Sequence, residues 1–185
     1  MSQIILVRHA KVDIPNHWIY SYEIKEYLEL YNTSPILKEP ISKELQKLVE
    51  GADTLATSKL FRAKETLKLF NKELNFTSSL FNESPLPYFN FKLFKLPAKV
   101  WVVVYRLLWL LSFSKNAISL KQEQLYAKKA AIKLTKLANN GNVVLIGHGV
   151  KNYLIAKELK SMGYILTKKG SKKNLGYYIA IKTTN

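Results

Sequence analysis

The stretch Ile4-Ile5-Leu6-Val7-Arg8-His9-Ala10 runs from four consecutive aliphatic residues straight into an arginine and a histidine. An unbroken aliphatic run of this length marks a strand buried on both faces, as in a parallel sheet covered by helices. Such strands deliver side chains to the C-terminal edge of the sheet, where open α/β proteins build their sites. A second delivery of the same kind, Val143-Val144-Leu145-Ile146-Gly147-His148-Gly149, stands far along the chain. The sequence contains three histidines, and two of them follow strands in this way.

The chain between these strands alternates helix and strand signals. Residues 11–18 form a loop with Pro and Asn turn signals, and the tyrosine- and glutamate-rich residues 21–31 hold a short helix. Ser42 caps a helix that Gly51 ends. Asp53 to Thr57 reads as a strand, after which Ser58 caps a helix with Leu60, Ala63, Leu67, Phe70 and Leu74 on its apolar face. Phe76 to Phe81 reads as a further strand, followed by an irregular Asn82-Glu83-Ser84-Pro85-Leu86-Pro87. A helix from Lys121 to Ala138 has an alanine- and leucine-rich face, with Glu123 assigned to solvent, and Asn139-Asn140-Gly141 ends it. After His148 comes a helix with Leu154, Ile155, Leu159 and Met162 inward. Lys168 to Lys173 reads as a solvated basic loop and Tyr177 to Lys182 as the last strand. The expected fold is α/β, a three-layer α/β/α sandwich with a mostly parallel central sheet.

At 185 residues, with 48% hydrophobic side chains, the chain has enough apolar material for one domain over 1–185 with a substantial core. The absence of cysteine excludes disulfides and thiol chemistry. The N-terminal apolar run stops too early for a signal peptide, so a cytoplasmic location is expected. Net charge is +16, and residues 115–173 carry 13 Lys/Arg against 2 acids. Such a field favours anionic partners without specifying one.

Residues 96–113 are apolar almost all round and form the heart of an apolar helical insertion at about 90–115. Lys99 and Arg106 interrupt them, and Arg106 at a bilayer centre would cost about 3 kcal/mol. A buried or interface helix is therefore expected, covering the active site, making a homodimer contact or touching a membrane peripherally through 96–113, with Trp101 and Trp109 as the membrane-facing side chains.

Arg8, His9, Arg62 and His148 each fall at or just beyond a strand's C-terminal end. Two guanidiniums suit a phosphoryl group, binding it bidentately and stabilising its equatorial oxygens. A neutral histidine can attack phosphorus, and a second, protonated histidine adds a charge-assisted donor.

These residues resemble the histidine phosphatase superfamily, also called the phosphoglycerate mutase-like family. Arg8-His9-Ala10 looks like its first motif, Ser58-Lys59-Leu60-Phe61-Arg62-Ala63-Lys64-Glu65-Thr66 like its second, and the strand ending in His148-Gly149 like its third, in the family's order. The resemblance implies a phosphoglycerate mutase-like fold and a metal-independent phosphatase that hydrolyses a phosphomonoester through a phosphohistidine on His9. It also implies that Arg8, Arg62 and His148 hold the phosphate, and that Glu83 protonates the leaving oxygen and then activates water. No metal or other cofactor is implied. Ala10 departs from the family glycine, and Lys11-Val12-Asp13 depart from the Glu-Thr of many members. Asn16 and His17 are candidates for the polar contact thereby missing. The expected substrate is a small phosphorylated molecule or a phosphoprotein. Alternatives are a phosphoglycerate-type phosphomutase, or a non-catalytic phosphate-binding module attached to a protein or membrane. No specific nucleic-acid motif is present.

Overall fold

A computed structural model describes residues 2–90, 92–169 and 173–182. Its centre is β1 (Gln3–Arg8), whose residues Ile4 to Val7 are completely or almost completely buried. Period-two alternation divides them between two cores. Ile4 and Leu6 pack with α5 (Leu120–Ala138) and α6 (Gly149–Ser161), while Ile5 and Val7 pack with α2 (Lys43–Glu50) and α3 (Phe61–Lys68). That division produces the three layers.

The six-stranded sheet also contains β3 (Thr54–Ser58), β4 (Phe76–Ser78), β6 (Val143–Gly147), β7 (Tyr164–Lys169) and β8 (Tyr177–Lys182). Its order is β4-β3-β6-β1-β8-β7, parallel from β4 through β1 and antiparallel where β8 joins β1 and β7. The parallel pairs are joined through helices, as such crossovers require. Gly147 is held close by Asn152, whose amide donates to Val7 O at 3.0 Å, and a Cβ on Gly147 would stand 2.3 Å from Asn152 Oδ1. Only glycine fits between that strand and the helix that follows it.

A third core lies beyond the C-terminal edge of the sheet. It joins Val12 and Ile14, α1 (Ile24–Thr33) and α4 (Ala98–Leu110), with a two-stranded ribbon of β2 (Trp18–Ile19) and β5 (Leu96–Pro97) beside them. Trp101, Tyr105 and Trp109 are buried in line along α4, and Trp109 Nε1 donates to Ile118 O at 2.8 Å. The tryptophans expected to face a membrane are therefore core residues. Among the described residues no helix is long and apolar enough to cross a membrane.

Several other expectations are corrected. The insertion is helical only over Ala98–Leu110. The helix after β3 stops at Lys68, so Leu74 falls beyond it and is exposed. The segment read as one strand from Phe76 to Phe81 pairs only through Ser78 and then tightens into a 3₁₀ turn, Ser79–Phe81. Part of the basic loop, Lys168 and Lys169, belongs to edge strand β7, and residues 170–172 lie outside the described residues. Lysines in a lone run look like a loop, but they also suit an edge strand, where charge blocks further pairing.

The two sides of α4 should respond very differently to truncation. Trp109→Ala should cost about 3–5 kcal/mol by urea denaturation, since it empties a core site and orphans a carbonyl. The exposed Leu107→Ala should stay within about 0.5 kcal/mol of the parent.

Candidate active site

Strand register builds the first half of the site. Arg8 pairs with Gly147 across β1 and β6, so the next residues, His9 and His148, leave the sheet side by side. The His9 N–H donates to Gly147 O at 3.0 Å, and the two imidazole centroids are 5.2 Å apart. From β3, Ser58 Oγ reaches His148 Nε2 at 2.7 Å and accepts the Leu60 N–H at 3.2 Å. Ser58 was expected to cap α3; it ends β3 instead, and Leu60 occupies the cap position without a side-chain bond.

The His9 ring is held in one tautomer. Its Nδ1 lies 2.7 Å from Ala10 O, a group that only accepts, so Nδ1 carries the proton. Nε2 is then left with a lone pair, and Arg62 Nε donates to it at 3.3 Å. Burial, reinforced by the Arg62 and Arg8 charges and opposed by the Ala10 carbonyl, pulls the His9 pKa down to about 3. His148 is also pushed well below the ordinary histidine value, by burial first and then by Arg62 and its other cationic neighbours. Both shifts favour the neutral imidazole in the open site, where a protonated second histidine was expected.

Thr66 shows why a threonine stands one turn after Arg62. Its hydroxyl accepts the Ala10 N–H at 2.9 Å and donates to Arg62 O at 2.7 Å, tying the turn after β1 to α3. Ala10 itself is fully buried, so a small side chain suffices there. Arg62 is steered by neutral groups: Nη1 donates to Asn32 Oδ1 at 2.7 Å, and its guanidinium carbon lies 4.9 Å from the Tyr31 ring centroid. Asn174 Nδ2 donates to His9 O at 2.8 Å.

Glu83 belongs to the same cluster. Its carboxylate accepts the N–H groups of Ser84 and Lys151 at 3.1 Å and of Val150 at 3.3 Å, so it sits on the N-terminal turn of α6. Beneath that turn Lys151 Nζ pairs with Glu123, both side chains being buried. Glu123 is therefore a structural ion-pair partner and not a solvated helix residue. Across the cleft, Arg106 Nη2 donates to Ser84 O at 2.9 Å, and its guanidinium lies over Trp109.

The cleft has a volume of about 1230 Å³ and is walled by Arg8, His9, Arg62 and Glu83 below and by α1 and α4 above. His148 is completely buried behind that wall. Asn16 and His17 are not part of it: Asn16 Oδ1 accepts the Lys99 N–H, and the His17 ring packs on Tyr27. Tyr31, Asn32, Asn174, Arg106, Lys151 and Glu123 were missed by reading the sequence. Two of them had a usable signal. Lys151 is in phase with Leu154, Ile155 and Leu159, and Glu123 with Ala127, Ala130 and Leu134, so each charge sits on an apolar face.

Two outcomes follow from this geometry. His9 binds a proton near pH 6.5 when unfolded and near pH 3 when folded. Its contribution to stability is therefore complete above about pH 6.5 and is lost progressively as pH falls toward 3, because the unfolded chain takes up the proton first. Urea denaturation as a function of pH should show that decline, and His9→Asn should make it shallower, leaving the part that His148 contributes. Separately, Glu123→Leu alone should destabilise by about 3–5 kcal/mol by leaving a buried ammonium unpaired, whereas Glu123→Leu with Lys151→Met should recover most of the loss.

No family model matches the sequence, and no curated protein is significantly similar to it. Solved structures do match. A phosphoglycerate mutase from Bacillus anthracis superposes with a TM-score of 0.59 at 19% identity, over 96% of this chain and 87% of that one. A phosphoserine phosphatase mutant from Entamoeba histolytica, in complex with phosphoserine, gives 0.59 at 14% identity over 97% and 90%. A mycobacterial glucosyl-3-phosphoglycerate phosphatase gives 0.53 at 14% identity over 85% and 79%. Sheet order, helical layers and these superpositions agree, and the chain has a phosphoglycerate mutase-like fold.

Proposed function

We propose that the protein is a phosphomonoesterase that transfers a phosphoryl group to His9 Nε2 and then to water. The observation that carries this reading is the imidazole itself: buried, neutral, proton fixed on Nδ1, with its Nε2 lone pair beside Arg62 at the wall of the cleft. A histidine so held is a nucleophile at neutral pH, since protonation does not compete with attack.

In the first step Nε2 forms a bond to phosphorus as the P–O ester bond breaks. Arg8 and Arg62 stabilise the charge on the equatorial oxygens. The leaving oxygen takes its proton from Glu83 in its carboxylic acid form. In the second step water attacks phosphorus, gives its proton to the Glu83 carboxylate, and the N–P bond breaks to release phosphate and neutral His9. His148 is close enough for a phosphoryl dianion on His9 to raise its proton affinity, so the charge-assisted donor arises only when phosphate is present. The substrate is a small phosphorylated molecule or a phosphorylated side chain small enough for the cleft. The match to a phosphoglycerate mutase supports a second reading, a phosphomutase, in which the phosphoryl group returns to substrate and the product is an isomer without free phosphate.

Hydrolysis of an aryl phosphate in excess chelator tests the proposal. His9→Ala should lower kcat/KM by at least about a thousandfold, Arg62→Met by about a hundred- to a thousandfold, and Glu83→Gln by about a hundredfold or more. Rapid quenching of wild-type turnover should trap acid-labile phosphate on the protein, absent from His9→Ala. Full activity in that variant would end the assignment.

A further inference from the structure

Helix α4 is apolar on two opposite sides, and only one of them is covered. Trp101, Tyr105 and Trp109 face the core, while Val100, Val103, Leu107, Leu110 and Leu111 all project outward, Leu107 56% exposed and Leu111 79%. At a helical turn of about 100° per residue these five fall within one arc of about 100°, opposite the buried aromatics. A stripe of five aliphatic side chains with no polar member marks an interaction surface.

The charge around the stripe says what kind of surface it meets. From Ser84 to Gln122, the stretch of sequence that carries the stripe, there is no Asp or Glu, while Lys92, Lys95, Lys99, Lys115 and Lys121 all fall in that span. All five lysines are exposed. The neighbouring α1 adds exposed Glu26 and Glu29 beside Lys25, which reduces the local surplus without cancelling it. Exposed Trp18 stands on β2, paired with Pro97 just before α4 begins.

We infer that this face docks on an anionic lipid surface, with α4 lying in the plane of the interface. The helix has 13 residues, about 20 Å, too short to span a bilayer, and an exposed apolar stripe on a segment whose charged residues are all basic is the arrangement that lies along one. A second copy is the poorer occupant, because two chains of net charge +16 would bring like charges together, whereas anionic headgroups oppose them. Val103 also lines the cleft, so the docking face borders the mouth of the site.

Co-sedimentation of the full chain with vesicles of phosphatidylcholine alone, or with about one-third phosphatidylglycerol, tests this. The protein should pellet with the anionic vesicles only, with binding at least about tenfold weaker at 300 mM salt than at 50 mM. Leu107→Glu with Leu111→Glu should weaken binding at least about tenfold at an unchanged thermal midpoint. Replacing Lys92, Lys95 and Lys115 by glutamine should weaken it and reduce the salt dependence. Failure to pellet, equal binding to neutral vesicles, or binding indifferent to the leucine substitutions would overturn the inference. So would a dimer dissociated by those substitutions in a protein that ignores vesicles. The readout is independent of catalysis, so it stands apart from the proposed reaction.

Discussion

The site depends first on the register between β1 and β6. With Arg8 opposite Gly147, the chain delivers His9 and His148 to the same edge at the same level. A slip of one residue would turn Ile4 and Leu6 toward the α2–α3 layer and carry His9 away from its neighbour. Both strands are buried on their two faces, so such a slip is costly in apolar packing before any chemistry is lost. Asn152 locks the choice, because its amide holds Val7 O while its bulk requires glycine at 147. Fold stability and site geometry are here the same set of contacts.

On that frame the charges are arranged so that an anion is the missing partner. Arg62 is held by an amide oxygen, an aromatic face and an imidazole, none of which neutralises it. Glu83 instead spends its carboxylate on the N-terminal turn of α6, and Glu123 is committed to Lys151. Keeping carboxylates off the guanidiniums costs stability, since a buried cation without a counter-ion is poorly solvated. The gain is a preorganised positive site that need not break an ion pair to receive phosphate. Burial lowers the proton affinity of both histidines and the same cations lower it further, which links nucleophile and binding site electrostatically.

What could be read from the sequence was whatever is local. Aliphatic runs ending in histidine gave β1 and β6, and capping at Ser42 gave α2, because a few adjacent residues determine each. Arg62 was legible through its place after a strand. Asn32 and Asn174 were not, since nothing adjacent to either distinguishes an amide that steers a catalytic side chain from one on a surface. Lys151 and Glu123 each carried a signal in being in phase with an apolar helix face, but their pairing across two helices could not be read from either one. Strand β7 escaped for a related reason. Its buried Tyr164 and exposed Ile165 make a one-sided edge strand, which lacks the dense aliphatic signal of the centre.

Helix α4 shows why composition misleads where geometry does not. A segment apolar all round suggests a membrane span, yet its residues serve three different surroundings. One side fills the core with Trp101, Tyr105 and Trp109, and a second lines the cleft with Val102 and Arg106. The third is the open aliphatic stripe. Arg106, the residue that argued against a span, is the one that fits least well in lipid and best here, because Ser84 O accepts from it beside Glu83 and Trp109 takes its flat face. Since one helix forms both the roof of the cleft and the outer stripe, whatever positions the stripe positions the roof over His9. The buried aromatics Trp101, Tyr105 and Trp109 tie both surfaces to the core, so neither can shift without disturbing that packing.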